Sequence, residues 1–171
     1  MVEIRKIGIT KLAVDAIVNA ANDALLQGGG VCGAIFREAG AARLQQACDR
    51  YGGCPTGQAV ITPGFALKAD YIIHAVGPRW GGGHRGEKQA LFSCYQAALQ
   101  LALEHRCRSI AFPLISAGIF GYPKAEAWAV ALDAVEDFLQ KNPKCGLQVI
   151  FAVLDDAILA LGQQTLQARN Q

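Results

Sequence analysis

Apolar and polar residues alternate with period two in "VEIRKI", which predicts an edge or outer strand. "DAIVNA" is short, apolar and β-branched, and predicts a buried strand. The period then changes. "VCGAIFREAGAARLQQACDRYGG" carries apolar residues at helical spacing, so a helix is expected from about Val31, broken near Gly40 and stopped at Gly52 and Gly53. "QAVITPG" reads as a strand ended by Pro63-Gly64, and "YIIHAVG" as another ended by Gly77-Pro78. Residues 87–105 form an amphipathic helix pattern, and "RSIAFPLIS" reads as a buried strand running into "AGIFGYP". "KAEAWAVALDAVEDFLQ" predicts a helix with Pro123 at its first turn and with Trp128 and Phe138 as packing residues. "LQVIFAVL" is the last strand, and "DDAILALGQQTLQAR" a closing helix capped by Asp155 or Asp156.

Strands separated by helices predict an α/β layered sheet with helices on both faces. The order strand-strand-helix-strand-strand-helix-strand-helix-strand-helix is not simple alternation, so the sheet should be mixed, with ligand sites at the carboxyl ends of its strands. A chain of 171 residues, 52% hydrophobic and 18% charged, fits one globular domain over 1–171 with a real core. A net charge of +2 disfavours a broad nucleic-acid surface, although a local anion pocket needs no global charge. "MVEIRKIGIT" has no long apolar run, so neither a signal peptide nor a membrane partner is expected, and the default location is cytoplasmic. The six cysteines (Cys32, Cys48, Cys54, Cys94, Cys107, Cys145) show no C-x-x-C pair, which predicts free thiols and no metal site.

Two segments stand apart from the regular pattern. "NAANDALLQGGGVCGAIF" runs from a strand through Asn22, then Gly28, Gly29 and Gly30, into a helix start. Unpaired N–H groups in a first helical turn attract anions, and glycines let them approach a phosphate closely. The spacing matches neither a Walker A loop nor G-x-G-x-x-G, and a loop that merely needs positive φ fits equally well. "PLISAGIFGYP" repeats the arrangement: a buried strand, small residues at Ser116, Ala117 and Gly118, a turn at Gly121, then a helix. Two such loops at strand ends can clasp a diphosphate. Phe120 and Tyr122 either stack on a sugar or base there or seal the core.

Taken together, "VDAIVNAAN", "GGGV-x-GAI", "CPTGQAVIT", "YIIHAVGP" and "FPLISAGIFGYP" resemble the MacroD-type branch of the macrodomain family, in order and over most of the chain. The resemblance implies a three-layer α/β/α sandwich around a mixed six-stranded sheet. It also implies a cleft for ADP-ribose, free or attached to protein, and no cofactor. Relatives of this kind remove ADP-ribose from modified acidic side chains or acetyl from O-acetyl-ADP-ribose. The implied ligand-binding positions are Gly8 and Ile9 after the first strand, and Ala21 and Asn22 after the second. Gly29, Gly30, Val31, Cys32 and Gly33 form the first loop and helix start, and Ser116, Ala117, Gly118, Ile119 and Phe120 the second loop. Asn22 would hydrogen-bond the distal ribose and is the one residue assigned to catalysis; an amide can both donate to and accept from hydroxyls.

Two departures from the family pattern bear on function. Gly8 stands where relatives usually place an Asp that accepts from the adenine amino group. Losing a charge-assisted hydrogen bond costs on the order of 1.5–3 kcal/mol. Asp15, at the entry of the next strand, is not expected to substitute. Cys32 stands where hydrolytic relatives carry an Asp that orients water, and Phe36 where they carry a His. Gln27 replaces a further glycine. Cys32 therefore reads as a small wall of the pocket or, alternatively, as a nucleophile lacking a base. His74 reads as a core or strand-end histidine with one satisfied nitrogen, and "RWGGGHRGE", with Arg79, Trp80, His84 and Arg85, as a mobile, solvated surface loop that could alternatively steer an anionic ligand or polypeptide. Three functions follow: hydrolysis of ADP-ribosyl ester linkages, non-catalytic reading of ADP-ribose, or nucleotide binding with weakened adenine selectivity. A monomer is expected.

Overall fold

The computed structural model describes residues Met1–Gln171. Strand β2 (Ala16–Ala21) has no polar face, so both its faces need cover, and it lies inside the sheet. The same holds for β4 (Tyr71–Val76), β5 (Ser109–Phe112) and β6 (Gln148–Val153), whereas the less completely buried β1 (Val2–Lys6) and β3 (Ala59–Pro63) take the two edges. Strand order is β1-β6-β5-β2-β4-β3. All neighbours are parallel except β3, which runs antiparallel to β4, so the sheet is mixed as expected. Pro63 at the end of an edge strand fits a residue that cannot donate to a ladder.

Five helices complete the chain: α1 (Gly30–Ala39), α2 (Ala41–Asp49), α3 (Glu87–Glu104), α4 (Lys124–Lys141) and α5 (Asp156–Arg169). Gly40, at φ 106°, separates α1 from α2 where the break was expected. The apolar stripe of α1 and α2, with Ile35, Phe36, Leu44 and Cys48, closes one face of the sheet together with Ile17 and Ile72. On the other face α3 and α4 bury Tyr95, Trp128 and Val135 against Phe112 and Phe151, and Leu159 and Leu161 of α5 pack onto that layer. The result is the three-layer α/β/α sandwich. Asp155 caps α5, its carboxylate accepting from the Ile158 N–H at 2.9 Å. No helix is long and apolar enough to cross a membrane.

Two details differ from the sequence reading. A 3₁₀ turn over Ile9–Lys11 follows β1, pinned to α1 by Thr10 donating to Glu38 at 2.6 Å. Strand β5 is shorter than its apolar run, ending at Phe112, because Pro113 has no N–H to continue the ladder.

Candidate functional site

The cleft begins inside the sheet. β2 and β5 pair only through Ala16↔Ile110 and Ile17↔Ala111, while β2 runs on to Ala21. Beyond that point the strands part. The chain leaving β2 goes to α1 on one face, and the chain leaving β5 goes to α4 on the other, so neighbouring strand tips carry loops that diverge. That is the switch-point geometry that opens a crevice at the carboxyl edge of a sheet.

The first loop is built around Asn22. Its side chain accepts from the Leu26 N–H at 2.9 Å and donates to the Leu26 carbonyl at 2.8 Å. One N–H and one lone pair of the amide remain free. Gln45 of α2 braces the loop, donating to the Leu25 carbonyl at 2.9 Å and accepting from the Gln27 N–H at 3.1 Å. Helix α1 has no side-chain cap, and the N–H groups of Gly30, Val31 and Cys32 have no protein partner. Gly30, at φ 57°, turns the chain into the helix in a conformation that disfavours any other residue.

The second loop is held in a left-handed turn at Ser116, φ 68°, unusual for a residue with a side chain. Its hydroxyl donates to the Pro78 carbonyl at 2.7 Å, and its carbonyl accepts from the Tyr122 N–H at 2.9 Å. Beneath it the buried Tyr95 hydroxyl accepts from the Ile115 N–H at 2.9 Å. These bonds leave the N–H groups of Gly118, Ile119 and Phe120 unpaired. The two aromatics of the loop divide their roles. Tyr122 is buried against Trp80, ring centroids 4.8 Å apart, whereas Phe120 is half-buried and lines the cleft.

Both loops line one cavity of about 440 Å³, walled by 17 residues. Ala21, Asn22, Gly29, Gly30, Val31, Cys32, Ser116, Gly118, Ile119 and Phe120 are among them. Gly8, Ile9, Gly33 and Ala117 are not. Gly33 and Ala117 are buried behind the loops, and Gly8 and Ile9 lie at the 3₁₀ turn after β1. Gly33 has a supporting role instead: a Cβ there would stand 2.6 Å from the Gly28 carbonyl oxygen, so its lack of a side chain lets α1 sit against the glycine loop. Asp15 lies at the opposite end of β2, accepting from the Arg108 N–H at 2.6 Å.

Arg79, which the sequence places in a surface loop that could steer an anionic ligand or polypeptide, is the single charged residue in the cavity wall. Its guanidinium lies 4.5 Å from the centroid of the Phe120 ring and pairs with no carboxylate. No carboxylate and no imidazole lines the cavity. The Cys32 thiol donates only to the Leu26 carbonyl, at 3.7 Å. His74 is fully buried under the sheet, bonded to Asn19 and Thr62 at 3.0 Å each, so both ring nitrogens are satisfied rather than one. Burial pulls its pKa down to about 4.

The segment after Arg79 is not a free surface loop. Glu87 folds its carboxylate under it and accepts from the N–H groups of Gly81, Gly83 and Arg85 at 2.8, 2.9 and 2.6 Å. Those donors, Gly83 foremost, hold the carboxyl down to about 2. A second, polar chamber of about 340 Å³ opens there, sharing Asn22, Gly77, Arg79 and Phe120 with the main cavity.

A family model described as Macro domain matches residues 18–131. A macro domain-containing protein of Chlorobaculum tepidum is 52% identical over 164 residues, covering 95% of this chain and 94% of that protein. The ADP-ribose glycohydrolase MACROD2 of Xenopus laevis is 54% identical over 147 residues, 85% of this chain and 35% of that much longer protein. A solved Trypanosoma brucei macrodomain in complex with ADP-ribose superposes with a TM-score of 0.89 at 36% identity, covering 96% of this chain and 68% of that one.

Proposed function

Since the chain belongs to the macro domain family, we propose that it binds ADP-ribose in the cleft and hydrolyses ADP-ribosyl ester linkages, on mono-ADP-ribosylated protein or in O-acetyl-ADP-ribose. One observation carries the binding reading: backbone N–H groups without a protein partner, among them those of Gly30, Val31, Cys32, Gly118, Ile119 and Phe120, belong to residues of both loops that line one cavity. A pyrophosphate supplies the acceptors that such donors lack, and the α1 dipole adds attraction for its charge. The distal ribose then meets the free half of the Asn22 amide and the Phe120 ring, and the adenosine extends toward Gly8.

In the hydrolytic step water adds its oxygen to the carbon of the ester linkage. The bond to the leaving oxygen breaks, and the products are a carboxylic acid, which ionises, and a free ribose hydroxyl. With no carboxylate in the wall, the groups left to hold the water are Asn22 and the substrate's own phosphate. Positioning of this kind contributes several kcal/mol. The likeness to a protein named as a glycohydrolase supports this activity.

That same carboxylate-free wall favours a second reading, a binder without turnover. Calorimetric titration with ADP-ribose, AMP and a guanine analogue tests the ligand. Incubation with mono-ADP-ribosylated protein and O-acetyl-ADP-ribose tests the chemistry. Saturable binding with release above a no-protein control supports the enzyme, saturable binding without release supports the reader, and equal affinity for the guanine analogue removes adenine selectivity. No heat with ADP-ribose refutes both.

A further inference from the structure

The second chamber lies beyond Asn22 and Phe120, on the side where the proposed ligand's distal ribose ends. The chemistry of its wall differs from that of the main cavity. Arg79, Arg85, Asp23, Thr56 and Glu87 line it. Glu87 is committed to three backbone donors and is only 3% exposed. The two guanidiniums have no carboxylate partner anywhere in the chain, and both residues are exposed. Arg79 is stacked on Phe120, which leaves its N–H edges open, and the aliphatic stem of Arg85 lies against Gly81. Folding accounts for Glu87 here and leaves two cations unneutralised.

We infer that this chamber is the acceptor-side subsite, which receives the polypeptide to which ADP-ribose is attached, and that Arg79 and Arg85 select acidic residues next to the modified side chain. The inference rests on the proposed placement of ADP-ribose. The chamber adjoins the main cavity, the two sharing four wall residues, so a group bonded to the distal ribose would lie next to it. A planar guanidinium bonds a carboxylate through two parallel N–H groups. Asp23 and Thr56 on the same wall can accept backbone N–H groups of a peptide, a contact a phosphodiester chain cannot make. The only aromatic ring in the chamber is already covered by Arg79, which leaves none for a nucleobase to stack on. Both points favour a polypeptide over a nucleic acid.

The test uses the whole chain and four probes: free ADP-ribose, two peptides carrying it through a non-hydrolysable linkage, and a phosphorylated oligonucleotide carrying it at its end. One peptide has Glu or Asp on both sides of the modified position; the other has Gln or Asn. Solvent-exposed ion pairs are modest, so the acidic peptide should bind roughly three- to tenfold tighter than the neutral one at low salt. The ratio should approach one at high salt. Arg79→Gln and Arg85→Gln should each reduce the ratio, the double variant should abolish it, and Arg85→Lys, which keeps the charge but loses the paired N–H groups, should retain only part of it. Equal affinity for the two peptides, with ADP-ribose itself binding, overturns the subsite and leaves the ligand assignment standing. An oligonucleotide conjugate that outbinds the acidic peptide overturns the polypeptide assignment. Absence of ADP-ribose binding overturns the functional reading and this inference with it.

Discussion

Replacing Gly33 by alanine sets two known effects against each other. Gly33 is inside α1 with helical backbone, so alanine should stabilise the helix by about 0.8–1 kcal/mol. Against this, the new Cβ would lie 2.6 Å from the Gly28 carbonyl oxygen, where 3.4 Å is an ordinary contact. The shortfall, 3.4 − 2.6 = 0.8 Å, falls on two backbone segments, neither of which can rotate away. The second neighbour, the Arg37 guanidinium at 3.1 Å, is the end of a flexible side chain and can give. Overpacking of this kind costs about 1–3 kcal/mol, so the clash outweighs the helix gain. The loop is the softer partner, and it moves. The free N–H groups at the start of α1 shift relative to the loop, and weakening one charge-assisted hydrogen bond to the ligand reduces ADP-ribose affinity roughly tenfold. Calorimetry gives the affinity and thermal melting the stability. Gly162→Ala is the control: its Cβ would stand 2.4 Å from the Trp128 ring between α5 and α4, away from the cleft, and should lower Tm without changing affinity. A Gly33→Ala protein with a raised Tm and wild-type affinity refutes the reasoning.

Stability should fall on acidification between pH 6.5 and 4, because unfolded His74 takes a proton in that window and folded His74, with its pKa near 4, does not. The drop is about 3 kcal/mol at 1.36 kcal/mol per pKa unit, and urea titrations of wild type and His74→Gln at pH 7 and pH 4.5 check it; an unchanged slope in the variant rejects the assignment. Below pH 4.5 Glu87 adds a further loss, since its depressed carboxyl contributes stability that disappears as pH falls toward 2; Glu87→Gln should flatten that lower limb. Tyr95→Phe leaves the buried Ile115 N–H without an acceptor, which costs about 1–3 kcal/mol and loosens the second loop; a wild-type Tm would contradict this. Gly8→Asp meets only the Lys11 side chain, at 3.7 Å, and should tighten adenosine ligands roughly ten- to a hundredfold in calorimetry, with equal affinity ruling it out. Cys32→Asp should raise ester hydrolysis, and a fall in turnover would give the thiol a role it lacks here.

The element pattern was legible because period and punctuation agreed along most of the chain. The helix break at Gly40, the strand ends at Pro63 and Gly77 and the cap at Asp155 are each fixed by the local chemistry of one or two residues. What escaped was set by contacts distant in sequence. The extent of β5 looked longer from its apolar run because hydrophobicity marks burial, not pairing. Leu114 and Ile115 are buried without being strand. "RWGGGHRGE" looked like a mobile loop because nothing in it signals that Glu87, where the next helix pattern starts, takes three of its backbone N–H groups. Gly33 and Ala117 were placed in the ligand set through motif position, whereas position in a motif does not separate a wall from the support behind it.

Arg79 shows the same limit from the other side. An arginine after a Gly-Pro turn carries no periodic signal, yet it is the one charge in the cavity and one of four residues that line both chambers. The contrast between the two chambers bears on how function is distributed. The main cavity offers backbone donors, which do not depend on residue identity beyond the need for small residues. Substitutions such as those at positions 8 and 32 therefore leave the anion seat intact while altering what surrounds it. The second chamber offers side-chain charges, which mutation can change freely. Affinity for the shared nucleotide-sugar should consequently be insensitive to Arg85, whereas discrimination among the polymers that carry it should depend on Arg79 and Arg85 together. A cleft of this design separates recognition of the tag from recognition of its carrier, because the two tasks fall to groups of different kinds, peptide N–H and guanidinium, on opposite sides of Asn22 and Phe120.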